Sequence, residues 1–488
     1  MQAELASSLR AKFRHMAHSV TRNCGQLNNL CVVGANFAHA CEPERVRVVN
    51  AKPIRSGRYV LYWMQAAQRA EWNPALTLAI ALANERKLPV VVGFGLTPNY
   101  PEANLRHYAF MLEGLREVRE KLAEREILFV TRVGNPPEVA LELAQEAAAV
   151  VMDSGYLRHQ RVWRAEVAQK ANCLALEVEG EVVVPVRLAY PKEAWSAQVL
   201  RRRISPFLAR FLRPLPELEP ERSSLGMDLP GLDLTNPAAV LQGLPLDRSV
   251  PPVELPSGTG AARARLLEFL EKKLSRYPAE RNNPAVNGTS GLSPYLHFGQ
   301  ISPVEVAWRA AQVGGPGAQV FLEELIVRRE LAVNYVFYNP NYDRFEGLPA
   351  WAKETLRKHA SDPRPARYTL EELEEARTED PLWNAAQREL LRTGKIHGYV
   401  RMYWGKQFLR WTEDPEEAFR FALYLNNKYA LDGRDPNSYA GVGWCFGLHD
   451  RPFPERPIFG KVRPMTGDGL RRRFPVEIYL ARWGKETT

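Results

Sequence analysis

Residues 59–94 read YVLYWMQAAQRAEWNPALTLAIALANERKLPVVVGF, and this stretch decides the fold of the first half of the chain. Two apolar runs, 59–63 and 89–94, are short, partly β-branched and bounded by turn residues, which is typical of buried strands. Between them, residues 74–87 carry a helical pattern that opens with Pro74, whose missing N–H costs nothing in a first turn. The stretch therefore predicts a strand–helix–strand unit.

The same alternation continues to about residue 186. Further strands are predicted at 127–131, 149–153 and 174–178, and further helices at 101–125, 136–147 and 158–170. Strict alternation implies right-handed crossovers and a doubly wound, Rossmann-like parallel sheet. Such a sheet often binds a nucleotide-like ligand at its switch point. The chain has no Gly-x-Gly-x-x-Gly and no phosphate-binding Lys loop, so a nicotinamide enzyme and a P-loop ATPase are disfavoured.

Beyond the sheet the pattern changes twice. Prolines punctuate residues 187–262, which we interpret as a long interdomain connection. From 263 to 488 the pattern is helical, with helices predicted at 263–276, 303–312, 319–336, 369–375, 383–393, 399–411 and 415–429. We therefore predict an α/β domain over 45–186 followed by an all-helical domain. Residues 1–44 are expected to be a poorly ordered extension or the product of an upstream start codon.

The bulk composition is that of a soluble globular protein. Of 488 residues, 45% are hydrophobic and 25% charged, and no run of roughly 18 apolar residues predicts a membrane helix. We expect a cytoplasmic monomer without a secretory signal, associated with the nucleoid if the source is bacterial. The net charge of +9 suits a polyanionic partner such as nucleic acid, and it suits a solvated basic surface equally well.

Five cysteines do not make a disulfide scaffold in a chain of this length. Cys24, Cys31 and Cys41 cluster near His39, but their spacing matches no common zinc pattern. We expect reduced thiols and no metal site.

Aromatic residues are concentrated between Trp383 and Trp444. A core could account for each of them singly, whereas the whole cluster suits a large planar ligand or electron transfer through indole rings. Trp404 and Trp411 are seven residues apart, which places both rings on one helix face about 10 Å apart along the axis. Spacing alone leaves both an ordinary core seam and an electron path open.

Two polar turns allow two interpretations each. Residues 432–436 (DGRDP) are either a helix stop with surface charges or a seat for a ligand's polar edge, with Arg434 as partner of an anionic group. Residues 289–294 (TSGLSP) are either a plain capped turn or a phosphate site at a helix N-terminus.

Five blocks in order resemble the flavin domain of photolyases and cryptochromes, in particular class II cyclobutane pyrimidine dimer photolyases. They are TSGLSPYLHFG at 289–299, EELIVRRE at 323–330, DPLWN at 380–384, HGYVRMYW at 397–404 and DGRDPNSYAGVGW at 432–444. The α/β half is similar more loosely, from about Arg45 onward. The resemblance implies an antenna domain joined to a helical domain that binds FAD.

The resemblance carries specific residues over to the flavin. The implied FAD contacts are Tyr277, Thr289, Ser290, Gly291, Leu292, Ser293, Arg401, Asn426, Asp432, Gly433 and Asp435. Asn426 would face the reactive edge of the ring, where a neutral amide can donate or accept a hydrogen bond. A second, antenna chromophore, a deazaflavin or a similar molecule, is expected in some members, and no residue here identifies it.

The implied reaction is repair of cyclobutane pyrimidine dimers in DNA. Light promotes an electron from reduced, anionic flavin to a lesion flipped out of the DNA. Glu324 would bind the lesion, Asn282 and Met402 would line its pocket, and Trp444 would stack on it. The implied electron chain that restores reduced flavin comprises Trp404, Trp383 and Trp411, with Tyr368 as a further candidate. Candidates for phosphate contacts are Lys461, Arg463, Arg471, Arg472 and Arg473.

Some positions depart from the family pattern. Gly291 stands where Asn is commoner, Val333 where an acidic residue is commoner, the run after Trp444 is one residue short, and residues 464–469 also differ. The alternatives are a cryptochrome-like photoreceptor that binds FAD without repair and a degenerate flavoprotein that only binds DNA. Glu324, Trp444 and the end of the chain soon after the helical domain favour repair.

Overall fold

The computed structural model describes residues 39–485, so most of the predicted extension, with Cys24 and Cys31, lies outside the described residues. The first domain contains six strands and four main helices. The strands are β1 (Val46–Val48), β2 (Tyr59–Trp63), β3 (Val90–Leu96), β4 (Leu128–Val133), β5 (Ala147–Asp153) and β6 (Leu174–Val178). The helices are α1 (Pro74–Arg86), α2 (Leu105–Glu124), α3 (Pro136–Ala144) and α4 (Arg158–Lys170), and a 3-10 turn (Pro43–Arg45) precedes β1.

The strands form one sheet in the order β1-β6-β5-β2-β3-β4. All neighbours are parallel except the β1–β6 pair, in which Val46 faces Val178. Every residue of β2, β3 and β5 is buried, as expected for a parallel sheet covered on both faces. The α/β prediction is confirmed.

Several element boundaries differ from prediction by a few residues, and two of these differences have a clear physical reason. Strand β5 begins at Ala147, two residues early, because the alanines that open it fit a helix and a strand almost equally well. Helix α2 begins at Leu105 because the chain before it turns through Glu102, whose φ is 58°. Strand β1 was not predicted, since its three residues are too short for a periodic signal.

The carboxyl edge of the sheet is organised by Asp153 at the end of β5. Its Oδ2 accepts the backbone N–H groups of Gln65, Ala66 and Ala67 at 2.8–2.9 Å, and its Oδ1 accepts Arg164 Nη2 at 2.6 Å. This edge lies between β2 and β5, where the strand order reverses. Asp153 therefore fixes the backbone of the loop after β2 at the switch point of the sheet.

The connecting segment contains short helices, α5 (Val186–Ala189), α6 (Ala197–Ile204), α7 (Leu208–Phe211) and α8 (Pro237–Gly243), with a 3-10 turn at Ser205–Phe207. Between them the chain follows the sheet edge at β4. Leu232 N–H donates to Thr131 O at 2.7 Å, and Ser224 Oγ donates to Val90 O at 2.6 Å. The segment thus covers an edge strand that would otherwise expose unpaired backbone groups.

The second domain is helical. Its helices are α9 (Gly258–Lys272), α10 (Tyr277–Glu280), α11 (Ser293–His297), α12 (Pro303–Val313), α13 (Gly315–Leu322), α14 (Arg329–Tyr338), α15 (Ala350–Lys358), α16 (Leu370–Glu374), α17 (Pro381–Thr393), α18 (Gly398–Trp411), α19 (Pro415–Tyr429), α20 (Pro436–Cys445), α21 (Gly467–Arg471) and α22 (Val476–Trp483). Two 3-10 turns occur at Leu274–Arg276 and Phe345–Gly347. This confirms an all-helical domain after the α/β domain.

One predicted helix is interrupted. The pattern predicts a continuous helix over 319–336, but a six-residue π-helix, Glu323–Arg328, separates α13 from α14. A π-helical insertion does not change the apolar pattern enough to be read from sequence. Such insertions occur frequently at functional sites, and this one carries Glu324.

The first turn of α2 and the residue before it bind the ends of two helices in the second domain. Asn104 Nδ2 donates to Lys428 O at 2.7 Å, and Arg106 Nη1 donates to Tyr429 O at 2.8 Å. Arg106 Nη2 donates to Leu391 O at 2.6 Å, and His107 Nε2 lies 3.2 Å from Ala430 O. These contacts satisfy carbonyl groups that helices α17 and α19 leave free at their C-termini.

None of the helices between residues 39 and 485 is long and apolar enough to cross a membrane. Within the same range no three acidic, histidine or cysteine side chains are grouped closely enough to hold a metal ion. Cys41 is a buried free thiol, and burial raises its pKa to about 12.

Candidate functional site

A tight loop, residues 430–435, joins α19 to α20. Gly433 fits because a Cβ there would lie 2.8 Å from Ala430 O and 2.9 Å from Asn426 O. Arg434 follows in the left-handed region with φ of 60°. The loop therefore brings its side chains against the end of α19 at close backbone contact.

Asp432 in this loop forms an ion pair with Arg401 of α18. Arg401 Nη2 lies 2.9 Å from Oδ1 and 3.3 Å from Oδ2 of Asp432. Burial by itself raises the pKa of Asp432, but the Arg401 charge and a Ser293 hydrogen bond outweigh it and hold that pKa below its ordinary value. Asp432 is thus an ionised carboxylate at neutral pH.

The two carboxylates that flank Arg434 in sequence do not pair with it. Asp435 lies 3.4 Å from His297 Nδ1 and accepts Asn437 N–H at 2.8 Å. Despite its burial, these bonds and nearby charges lower the pKa of Asp435 to about 2. Arg434 is buried, and its Nε and Nη1 bond to no residue between 39 and 485. The polar turn predicted as one ligand seat therefore contains two separate groups, Asp432 with Arg401 and Asp435 with His297.

A basic cluster lies beside the predicted hydroxyl loop 289–293. A Cβ on Gly291, whose φ is 68°, would lie 2.7 Å from Arg265 Nη1. The pKa of Lys395 is lowered to about 8, chiefly by burial. The nearby charges of Arg401 and Arg265 act in the same direction, and the Asp432 carboxylate opposes them. Hydroxyls and cations in one place suit a diphosphate. Sequence reasoning missed Arg265 and Lys395, which stand outside any motif.

The remaining loop residues vary in exposure. Leu292 is buried, whereas Thr289, Ser290 and Ser293 are partly exposed. Ser290 Oγ accepts the Leu292 N–H at 3.4 Å, so part of the capped-turn interpretation also applies.

Asn426 is buried on α19 with its amide nitrogen bonded to Ser438 Oγ. Its Oδ1 accepts no hydrogen bond from any residue between 39 and 485. Buried carboxamide oxygens are normally paired, so this atom points to a donor on a bound molecule.

Three tryptophans from two helices form a continuous ring path. Trp404 and Trp383 are stacked, with centroids 6.2 Å apart and planes 5° apart. Trp411 meets Trp383 edge-on at 5.3 Å, and Tyr368 meets Trp411 at 5.2 Å. All three indoles are buried, and Tyr368 is partly exposed. The path therefore runs from the interior toward the surface.

Trp383 supplies the link that helical spacing alone could not show. Trp404 and Trp411 share a face of α18 as predicted, and Trp383 of α17 contacts both. Its Nε1 donates to Trp404 O at 3.0 Å, and Trp404 Nε1 donates to Gln387 Oε1 at 2.9 Å. Both indole N–H groups are therefore satisfied.

Glu324 projects from the π-helix and pairs with Arg281 at 2.7 Å. Tyr277 is next to them: its pKa is raised to about 12 by burial and by the Glu324 charge, against Arg281. The structure thus groups Tyr277, predicted as a flavin contact, with Glu324 and Arg281. Asn282 is exposed beside Arg281.

Trp444 of α20, the predicted stacking face of the lesion pocket, lies against the same π-helix that carries Glu324. The Arg328 guanidinium is 5.9 Å from the Trp444 ring centroid, within the range of a cation–π contact. His449 packs edge-on against Trp444 at 6.3 Å, and burial lowers the pKa of His449 to about 4. Met402 is partly buried in α18, and its carbonyl lies 3.7 Å from Cys445 Sγ.

An exposed tryptophan that the sequence did not single out adjoins the same pocket. Trp195 is 70% exposed, and its carbonyl lies 3.3 Å from His449 Nδ1. Its loop is fixed by Asn334, whose Oδ1 accepts Ala194 N–H at 2.7 Å and whose Nδ2 donates to Lys192 O.

The predicted phosphate-binding residues all lie at the surface: Lys461, Arg463, Arg471, Arg472 and Arg473. Arg463 stacks on Phe453 at 4.3 Å and pairs with Asp450 at 3.1 Å. Arg471 pairs with Asp468 on α21. Their exposure is compatible with a solvated face and with a polyanionic partner alike.

A second cavity opens at the carboxyl edge of the sheet. It is bounded by the ends of β2 and β3, by α4 and by the helical domain. Its lining includes Gln65, Gly95, Tyr100, Trp163, His297 and Arg434. Arg434 thus lines this cavity, although its unpaired Nε and Nη1 atoms are themselves buried, and a cationic lining residue would suit an anionic ring system.

The family departures have distinct settings. Val333 is buried in the hydrophobic core of the helical domain, where an acidic side chain would need a partner. Gly291 has a left-handed backbone that Asn also tolerates.

The residues of the first site fit FAD. Asp432, Arg401, Lys395 and Arg265 offer charges of both signs. The orphaned Asn426 Oδ1 adds an acceptor, and the buried Arg401 Nε, which bonds no residue in the described part of the chain, adds a donor. These groups are the kinds that a polar ring edge and a diphosphate require.

Comparison with known proteins identifies the family of this chain. A family model for DNA photolyase matches residues 60–221. The deoxyribodipyrimidine photo-lyase of Methanothermobacter thermautotrophicus is 47% identical over 440 residues, which cover 90% of this chain and 98% of that protein. The deoxyribodipyrimidine photo-lyase of Arabidopsis thaliana is 39% identical, covering 90% of this chain and 92% of that protein.

A solved structure supports the fold. The archaeal photolyase from Sulfolobus tokodaii, described with two FAD molecules and a novel light-harvesting cofactor, superposes with a TM-score of 0.66 at 19% identity. The match covers 87% of this chain and 89% of that one.

Proposed function

This chain belongs to the deoxyribodipyrimidine photo-lyase family and is a DNA-repair lyase, and we propose that it splits cyclobutane pyrimidine dimers by light-driven electron transfer from reduced FAD to a flipped-out lesion. The class II resemblance belongs to the same proposal. The observation that carries it is the buried ring path of Trp404, Trp383 and Trp411 in the domain that holds the Asp432–Arg401 pair.

Several residues would hold the flavin. Arg265, Lys395 and Arg401 would bind the diphosphate, with the 289–293 loop beside them. Asp432 and Asn426 would bind polar edges of the cofactor. Reduced FAD, once bound, would supply the electron after it absorbs light.

The lesion would bind between Glu324 and Trp444. Arg281 holds the Glu324 carboxyl at 2.7 Å, so that its remaining lone pairs can accept N–H groups of the pyrimidine pair. The indole of Trp444, under the charge of Arg328, offers a stacking face. Met402 and Asn282 would complete the pocket.

The DNA around the lesion would contact exposed groups. The basic residues at 461–473 would bind phosphates, and Trp195, beside the pocket, would stack on a neighbouring base.

The cavity at the carboxyl edge of the sheet supports the proposal that this protein binds an antenna chromophore. It lies at the switch point of the sheet and between the two domains. The buried Arg434 favours an anionic chromophore, and a deazaflavin or a second flavin would satisfy that requirement.

A repair assay tests the proposal. The protein is reduced, mixed with an oligonucleotide that contains cyclobutane dimers, and illuminated with blue or near-ultraviolet light. We expect loss of dimers that requires both light and reduced flavin. If the amount of dimers does not fall under illumination, the repair proposal is wrong and a photoreceptor that binds FAD without repair becomes the better interpretation. The presence of Glu324 and Trp444 at the predicted lesion-binding positions argues against that alternative.

Replacing Glu324 by alanine is expected to lower the repair yield by roughly tenfold, the effect of losing a hydrogen bond to a charged group. Flavin content should not change, because the carboxyl pairs with Arg281, which is not among the residues assigned to the flavin. Repair yield and flavin absorbance are measured on the same preparation. Glu417→Ala, which removes an exposed pair with Arg420 at the start of α19, is the matched control. Equal loss of flavin and repair would instead assign Glu324 a structural role.

A further inference from the structure

Four side chains form a directed line of hydrogen bonds from the surface to Asn426. Exposed Glu102 accepts Asn427 Nδ2 at 2.6 Å. Asn427 Oδ1 accepts the Ser438 hydroxyl at 2.7 Å, and Ser438 Oγ accepts Asn426 Nδ2. Asn426, Asn427 and Ser438 are all buried, so the two bonds among them are shielded from water.

The direction of this line is determined by its far end. Arg434 N–H donates to Asn427 Oδ1 at 2.8 Å, and a backbone N–H can only donate. Asn427 must therefore present its nitrogen to the carboxylate of Glu102, which can only accept. Two independent anchors thus fix which way the Asn427 amide faces.

The orientation of Asn427 in turn fixes the donor and acceptor roles of Ser438 and Asn426. Ser438 has one hydrogen, and Asn427 Oδ1 takes it, so Ser438 Oγ can only accept from its other neighbour. Asn426 must then direct its Nδ2 to Ser438. Turning the Asn426 amide over would set its oxygen against the Ser438 lone pairs, at the cost of a buried hydrogen bond.

We propose that Glu102, Asn427 and Ser438 are positioning residues that hold the Asn426 carboxamide with its oxygen toward the bound flavin and so favour the reduced cofactor. The proposal rests on the proposed function, in which Asn426 meets the reactive ring edge. It restricts the amide, which could otherwise donate or accept, to the role of acceptor.

The chemical reason lies in the flavin nitrogen at that edge. Two-electron reduction with uptake of one proton turns N5 from an acceptor into an N–H donor. A fixed carboxamide oxygen complements the N–H and opposes the lone pair of the oxidised ring. Repair needs the reduced flavin, so an amide oriented in this way would stabilise the working form.

The test is a potentiometric titration of FAD-loaded protein in the dark, with the absorbance of oxidised flavin as readout. Ser438→Ala frees the Asn426 amide to turn. We expect the ratio of reduced to oxidised flavin at a fixed potential to fall roughly three- to tenfold, the range of one net hydrogen bond. Ser438→Thr keeps the hydroxyl and should restore the ratio.

Glu102 provides a second route because its side chain is exposed, so that its replacement removes no buried packing. Glu102→Ala should lower the ratio in the same direction by a smaller factor, since Arg434 N–H still orients Asn427. Glu102→Gln retains an acceptor and should match the parent protein. Ser302→Ala, a buried helix-capping serine outside the site, controls for loss of a hydroxyl as such.

The outcomes separate the two proposals. If Ser438→Ala does not retain flavin, the comparison of Glu102→Ala with Glu102→Gln decides. The positioning role is overturned if the ratio of reduced to oxidised flavin is the same in the parent and in the flavin-bearing variants Ser438→Ala and Glu102→Ala. If the parent protein repairs dimers but the variants show no change in the ratio, the proposed function stands and only the positioning role fails. A parent that cannot take up FAD overturns both.

Discussion

Replacing Trp404 by phenylalanine is expected to block photoreduction of bound flavin and to leave repair largely intact when the flavin is reduced chemically. The substitution keeps an aromatic ring against Trp383 but removes the oxidisable indole at the buried end of the path. We expect the photoreduction rate to fall by at least about a hundredfold, because the loss of Trp404 removes the buried end of the ring path. The rate is measured from the bleaching of oxidised flavin under blue light with an external reductant.

The same variant tests the assignment of separate roles to the ring path and the lesion pocket. Phenylalanine leaves Gln387 Oε1 without its indole donor, so a stability loss of about 1–3 kcal/mol is expected in thermal unfolding. Trp308→Phe is the matched control, because Trp308 packs on Trp72 at 5.7 Å and contacts none of the three path indoles. Equal loss of photoreduction and of repair by chemically reduced enzyme would contradict the electron-path role.

Replacing Asp432 by asparagine is expected to empty the flavin site. The variant keeps the shape of the side chain but leaves Arg401, and beside it Lys395, without their carboxylate. Breaking a largely buried pair costs on the order of 3 kcal/mol, enough to lower FAD affinity by about a hundredfold. Flavin content after purification and the dissociation constant for added FAD measure the effect.

The pH dependence of stability provides a second measure of the same pair. Because the folded-state pKa of Asp432 lies below its ordinary value, its contribution is complete above the ordinary pKa. It is lost progressively as pH falls through the depressed folded-state pKa. The difference in unfolding free energy between parent and variant should therefore narrow on acidification. Asp343→Asn breaks an exposed pair with Arg158 and should have little effect at any pH. A variant that retains FAD with parental affinity would remove Asp432 from the site.

The parts of the fold that follow local rules could be predicted from sequence. Strand β2 is found at 59–63 as predicted, because a run buried on both faces needs no partner to be recognised. The π-helix could not be predicted, since an inserted residue shifts the register without changing residue types. Likewise β1 owes its existence to pairing with β6.

The site was predictable where its residues stand in motifs and not where separate segments converge. The 432–444 block contains Asp432 and Trp444, and it was recognised as a unit. Arg265 and Lys395 meet beside Arg401 only in three dimensions. Glu102 reaches Asn427 from a different domain, 325 residues away in the chain. Such long-range partners leave no signal in a single sequence.

The bonds from Asn104, Arg106 and His107 to the ends of α17 and α19 bear on how the family could diversify. In an isolated helical half, the carbonyl of Leu391 near the end of α17 would lose its donor. The carbonyls of Lys428 and Tyr429 would lose theirs at the turn that leads into the Asp432 loop. The α/β domain is therefore also a scaffold for the helical domain. Exchange of α/β domains between relatives would require that the incoming domain carry donors at these positions.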